Sequence, residues 1–101
     1  MKYLVKLTAR ALRDLEAIYS YVQADTSHQA FAWFNRLAKA ISSLERFPSR
    51  GLVIPEDKKL RHLFFGKQPH VYRIIYAVDK RHYVVNVLHI RHGVRGPLSA
   101  K

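Results

Sequence analysis

The chain has 101 residues, 49% of them hydrophobic, and this length suits one compact domain with a single core, residues 1–101. Its 18 Lys and Arg against 7 Asp and Glu give a net charge of +11, which favours nucleic acid, an acidic protein or an anionic membrane as partner without choosing among them. The absence of cysteine excludes disulfides and thiolate metal sites, and no apolar run approaches the ~20 residues of a membrane span. We therefore expect a soluble cytoplasmic protein with no membrane partner.

The first half of the sequence predicts one strand and two helices. Tyr3–Leu7 is a short run of β-forming residues, and Thr8, which follows it, is of a type that caps helices. Two stretches then carry apolar residues at three- and four-residue spacing, which predicts a helical hairpin. The first contains Ala11, Leu15, Ile18, Tyr19 and Val22, and the second contains Phe31, Phe34, Leu37, Ala38, Ile41 and Leu44. Pro48 and Gly51 end the second helix.

The second half predicts a loop followed by three strands. Residues 48–59 mix turn formers with charge, which predicts a loop with at most a fragment of strand. The strands are expected at Leu60–Phe65, Val71–Val78 and Tyr83–Arg91, and the short turns between them favour antiparallel pairing. The order β-α-α-β-β-β predicts an α+β fold in which the helical hairpin packs on one face of a small antiparallel sheet. The other face stays partly open.

The last two predicted strands interleave apolar residues with Arg and His, which indicates an anion-binding surface on the sheet. A tight turn with Lys80 and Arg81 at its tip pairs Arg73 with Leu88 and places Arg73 on the same face as His92. A slip of one residue exchanges the two faces. The opposite face is expected to carry His89 and Arg91 with Tyr72 and Tyr76. Since His89 and His92 then lie on opposite faces, we expect no shared metal.

Six segments, in this order along the chain, resemble the RelE/ParE superfamily of toxins from bacterial type II toxin–antitoxin systems. The first is L-T-x-x-A-x-x-D-L-x-x-I-x-x-Y at Leu7–Tyr21. The others are the corner Ser43–Gly51, Pro55-Glu56, Leu60-Arg61, the strand Tyr72–Tyr76 and the ending His89–Arg95. The resemblance covers almost the whole chain, and it implies the same fold that the hydrophobic pattern predicts.

The resemblance also implies a cognate antitoxin as partner and two possible activities. RelE-like members cleave mRNA in the ribosome, whereas ParE-like members inhibit DNA gyrase by binding it. Our first interpretation is a metal-independent, cofactor-free endoribonuclease with the ribosome and mRNA as partners. The alternative is a ParE-like gyrase inhibitor, and a further alternative is a non-toxic basic nucleic-acid-binding module.

Matched position by position, the resemblance to YoeB-type nucleases of this superfamily implies a catalytic set of Glu56, Arg73 and His92. Cleavage needs a proton acceptor and a proton donor, for which Glu and His are suited, and a cation that stabilises the phosphorane, for which Arg is suited. The tyrosine that follows the terminal His in that pattern is Gly93 here. The residues expected to bind RNA are Lys58, Lys59, Arg61, Arg91 and Arg95.

Overall fold

A computed structural model of the chain describes residues 2–68 and 70–93. The helices are α1 (Ala9–Tyr21) and α2 (His28–Ser42), and a 3-10 turn at Ser43–Glu45 follows α2. The strands are β1 (Leu4–Leu7), β2 (Leu52–Ile54), β3 (Asp57–Lys67), β4 (His70–Asp79) and β5 (Val84–His92). They form a five-stranded sheet in the order β1-β5-β4-β3-β2, so the α+β fold is confirmed. Neither α1 nor α2 is long and apolar enough to cross a membrane.

The predicted sheet is wrong in one respect, because it is mixed rather than purely antiparallel. β1 pairs in parallel with β5, with Leu4 opposite Val84 and Leu7 opposite Val87. Short turns predict only pairs between consecutive strands, and this pair joins strands that lie at opposite ends of the described chain. The predicted strand fragment within residues 48–59 is β2, and β3 begins at Asp57, three residues before the predicted Leu60.

The two helices begin at capping side chains, of which the sequence predicts Thr8. The Thr8 hydroxyl accepts a hydrogen bond from the Ala11 amide at 3.1 Å, and the Ser27 hydroxyl accepts one from the Ala30 amide at 3.2 Å. Thr8 also donates to the Leu88 carbonyl at 3.0 Å, which ties the start of α1 to β5.

One face of the sheet forms the core with the helical hairpin. From β4 and β5 the buried residues are Tyr72, Ile74, Tyr76, Val85, Val87 and Ile90. From the helices and the turn after α2 they are Ala11, Ile18, Leu37, Ile41 and Leu44. The helix residues recur at the predicted helical spacing, and the β4 residues alternate with residues of the opposite face.

The predicted register of the last two strands is wrong. Asp79 pairs with Val84, so the turn is two residues wider than predicted, and an irregularity at Leu88 adds one more residue to β5. The wider turn alone would keep every side chain on its predicted face, but the added residue reverses the faces. Arg73 therefore lies opposite Arg91, and Tyr72 lies opposite His92.

Candidate functional site

The side of the sheet opposite the helices carries a nearly buried arginine. Arg73 lies on the central strand β4, opposite Phe64 of β3 and Arg91 of β5, and only 7% of the residue is exposed. A guanidinium in that position needs hydrogen-bonding partners, because burial of an uncompensated charge is costly. The Arg73 Nε donates to Nδ1 of His62 on β3 at 2.8 Å.

His62 is the neighbour that completes this arrangement. Because its Nδ1 accepts from Arg73, the proton of the neutral imidazole lies on Nε2. Burial lowers the pKa of His62 from its usual value of 6.5, the charge of Arg73 lowers it further, and the carboxylate of Glu56 opposes the shift. The His62 ring also lies 4.8 Å from the exposed ring of Phe64. His62 is thus a neutral imidazole near pH 7.

The structure brings two of the three predicted catalytic residues into one neighbourhood. Glu56 lies in the turn between β2 and β3, and its charge acts on His62, which in turn contacts Arg73. Sequence reasoning missed His62. Its spacing of two residues from Phe64 would have placed the two on one face of β3, but only the β3–β4 register shows that Arg73 lies beside them.

His92 is separated from that neighbourhood. It lies opposite Tyr72, whose ring is 5.0 Å away, on the side of the sheet that packs against the helices. The prediction that Arg73 and His92 share a face is therefore wrong, because the extra residue at Leu88 reverses the alternation. The next position after Arg91 on the Arg73 side is Gly93, which has no side chain to offer.

The predicted RNA-binding residues are dispersed. Lys58 and Lys59 are exposed at the start of β3. Arg61 is used within the protein, since its Nη1 donates to the Gly51 carbonyl at 2.7 Å. Arg91 is half-buried opposite Arg73, and Arg95 lies outside the described residues.

A second polar cluster joins α1 to β5. The Asp14 carboxylate accepts from His89 Nδ1 at 2.6 Å and from the Ile90 amide at 2.9 Å. Arg10 lies 3.2 Å from the other ring nitrogen of His89. Both His89 nitrogens thus contact α1, which explains this histidine as a link between helix and sheet.

Residues 5–97 match a protein-family model described as the ParE toxin of the type II toxin–antitoxin system, parDE. The fold is similar to that in the chromosomal ParDE system of Pseudomonas aeruginosa, with a TM-score of 0.70 and 22% identity over 92% of this chain and 98% of that chain. It is also similar to the Mycobacterium tuberculosis RelBE2 toxin–antitoxin complex, with a TM-score of 0.62 and 25% identity over 92% and 100%. For the intact Escherichia coli RelBE complex the TM-score is 0.65 and the identity is 18%, over 92% of this chain and 99% of that chain. No curated protein matches the chain.

Proposed function

The chain belongs to the ParE toxin family of type II toxin–antitoxin systems, and from that premise we propose that it arrests growth by binding DNA gyrase rather than by cleaving mRNA. The single observation that carries this choice is the separation of Arg73 from His92 by the sheet. Cleavage needs an acid, a base and a cation around one phosphate. Arg73 and His92 lie on opposite faces, so they do not surround one phosphate.

Inhibition by binding requires a complementary surface rather than a catalytic set. The net charge of +11 favours association with an acidic protein surface and speeds the encounter. Gyrase acts in the cytoplasm, so we propose the same location for the toxin. Its cognate antitoxin prevents inhibition by covering part of the basic surface.

Ribosome-dependent mRNA cleavage is the second candidate, and it is favoured by the grouping of Glu56, His62 and Arg73. In that mechanism the Glu56 carboxylate or neutral His62 accepts the 2′-hydroxyl proton as the 2′ oxygen bonds to phosphorus. Water protonates the 5′ oxygen as its bond to phosphorus breaks, and Arg73 stabilises the phosphorane. Arg73→Ala then costs about 3–4 kcal/mol of barrier, roughly 100- to 1,000-fold in rate. His92, on the side of the sheet that packs against the helices, takes no direct part in this mechanism.

Induced expression without the antitoxin, with plasmid supercoiling and mRNA integrity measured in the same cells, tests the choice. We expect growth arrest with relaxed or broken DNA and intact mRNA. Glu56→Gln, His62→Gln and His92→Gln should all still arrest growth, because binding does not use proton transfer. Lys80→Ala, on the exposed β4–β5 turn, is the matched control.

If the mRNA is cut while supercoiling is unchanged, and cleavage is lost in Glu56→Gln or His62→Gln, the nuclease hypothesis replaces gyrase inhibition. Normal growth with confirmed soluble protein would argue against both toxic activities for this chain.

A further inference from the structure

The segment that joins α2 to the sheet exposes large apolar side chains beside two arginines. We call Arg46, Phe47, Arg50 and Leu52 the corner surface. Phe47 is 62% exposed and Leu52 is 69% exposed, and both arginines are exposed as well. An open pocket of about 690 Å³ lies among Ser43, Arg46, Phe47, Pro48, Ser49 and Arg50.

The backbone beneath this surface is held firmly by the core. The buried Tyr76 hydroxyl donates to the Pro48 carbonyl at 2.8 Å and accepts from the Gly51 amide at 2.8 Å. Arg61 adds a third bond, from Nη1 to the Gly51 carbonyl at 2.7 Å. A Cβ on Gly51 would lie 2.7 Å from the Tyr76 oxygen, so only glycine allows this approach. The corner is therefore ordered before any partner arrives, which reduces the entropy that binding costs.

The charges of the corner surface are available to a partner. Arg50 is oriented by its bond to the Ser43 hydroxyl, at 2.6 Å, and that hydroxyl is a neutral acceptor. The nearest acid along the chain, Glu45, lies 3.4 Å from the ammonium of Lys2. The corner thus presents net positive charge around an exposed phenyl ring. Aromatic residues and arginine are the types that contribute most to protein interfaces.

We propose that the corner surface binds the toxin's protein target through an acidic segment that carries one large apolar side chain. The apolar side chain packs on Phe47 in the open pocket, and the carboxylates pair with Arg46 and Arg50. The exposed aliphatic Leu52 favours a protein over RNA, because it adds apolar contact area for a protein side chain and offers a base no aromatic face. This inference rests on the proposed function, in that the target is a protein.

The test uses the full chain and purified gyrase, with affinity measured by calorimetry. Phe47→Ala and Arg50→Glu should each weaken binding at least roughly 10-fold, because each removes a central contact. Arg50→Lys keeps the charge but not the planar fork and should weaken binding by about 3-fold. Lys80→Ala combined with Arg81→Ala, on the exposed turn, should change affinity by less than about 2-fold. Phe47 and Arg50 are exposed, so the variants should fold, and retained antitoxin binding checks this.

If Phe47→Ala and Arg50→Glu both bind gyrase with wild-type affinity, the proposed role of the corner surface is overturned, while gyrase inhibition still stands. If the wild-type chain does not bind gyrase, the proposed function fails, and growth arrest becomes the readout. If Phe47→Ala and Arg50→Glu then no longer arrest growth but still bind the antitoxin, the role of the corner surface is supported. If both variants still arrest growth, that role is overturned. A labelled single-stranded RNA that binds the wild type but not Phe47→Ala overturns the assignment to a protein partner. Absence of both gyrase binding and arrest in the wild type overturns the two proposals together.

Discussion

At the scale of single residues, Arg73 and His62 illustrate how one hydrogen bond sets a protonation state. The guanidinium donates to Nδ1, so protonation of that nitrogen requires loss of the bond and leaves two positive charges in contact. Burial also lowers the pKa of His62, whereas the charge of Glu56 raises it. The balance keeps the imidazole neutral at neutral pH, with a single N–H at Nε2.

The order of these effects predicts how variants change the pKa of His62, which NMR titration of the imidazole measures. Arg73→Met should raise the pKa of His62 but leave it below 6.5, because burial is the largest cause of the shift. Glu56→Gln should lower it further, because the opposing charge is removed. A pKa of His62 above 6.5 in the wild type would contradict the arrangement.

The same shift makes stability depend on pH. The pKa of His62 is lower in the folded chain than in the unfolded chain. At pH values between these two pKa values the unfolded state therefore binds more protons. This contribution is therefore present above pH 6.5 and is lost as the pH falls through the folded value. His62→Gln should remove that part of the acid sensitivity in urea titrations.

Among the helices and strands, the two helix caps differ in the number of hydrogen bonds that they make. Ser27 caps α2 with one bond, whereas Thr8 caps α1 and also donates to Leu88, the residue at which β5 departs from regular pairing. Thr8 thus holds a helix start and the strand irregularity that sets which face each later side chain occupies.

We predict that Thr8→Ala destabilises the fold more than Ser27→Ala does. Loss of a cap costs about 0.5–2 kcal/mol, and Thr8→Ala also leaves the Leu88 carbonyl without its hydroxyl donor. Urea unfolding measures both free energies. Thr26→Ala, beside the cap but exposed, is the control and should cost less than about 0.5 kcal/mol. Equal losses for Thr8→Ala and Ser27→Ala would show that the bond to Leu88 contributes nothing.

At the scale of the whole molecule, the net charge of +11 must be balanced by ions or by a partner. A protein with this excess repels copies of itself and attracts acidic chains over a distance that salt shortens. An antitoxin segment that brings carboxylates to the helical hairpin or the sheet would compensate the charge and block the target at once.

We therefore expect antitoxin affinity to fall as salt rises, measured by calorimetry between low and physiological ionic strength. Hydrogen exchange should show added protection along α1, α2 or the sheet when the antitoxin is bound. Protection confined to the exposed turn between β4 and β5, residues 80–83, would argue against covering of the basic surface.

Local patterns in the amino-acid sequence were enough to predict the helices, the long strands and the family. Helical spacing, the capping residue Thr8 and the alternating strands are local properties, so they predicted α1, α2 and the three long strands with small errors at the ends. The motifs from Leu7 to Arg95 indicated the superfamily that the ParE match confirms.

Which polar and charged residues contact one another became visible only in the folded chain. Strand side chains alternate with a period of two, so a single extra residue at Leu88 moved His92 away from Arg73, and nothing local to either residue indicates it. The contact of His62 with Arg73 and the parallel pairing of β1 with β5 likewise join parts of the chain that are distant in sequence. Long-range register depends on how the helices and strands pack together, and that packing is a property of the folded molecule.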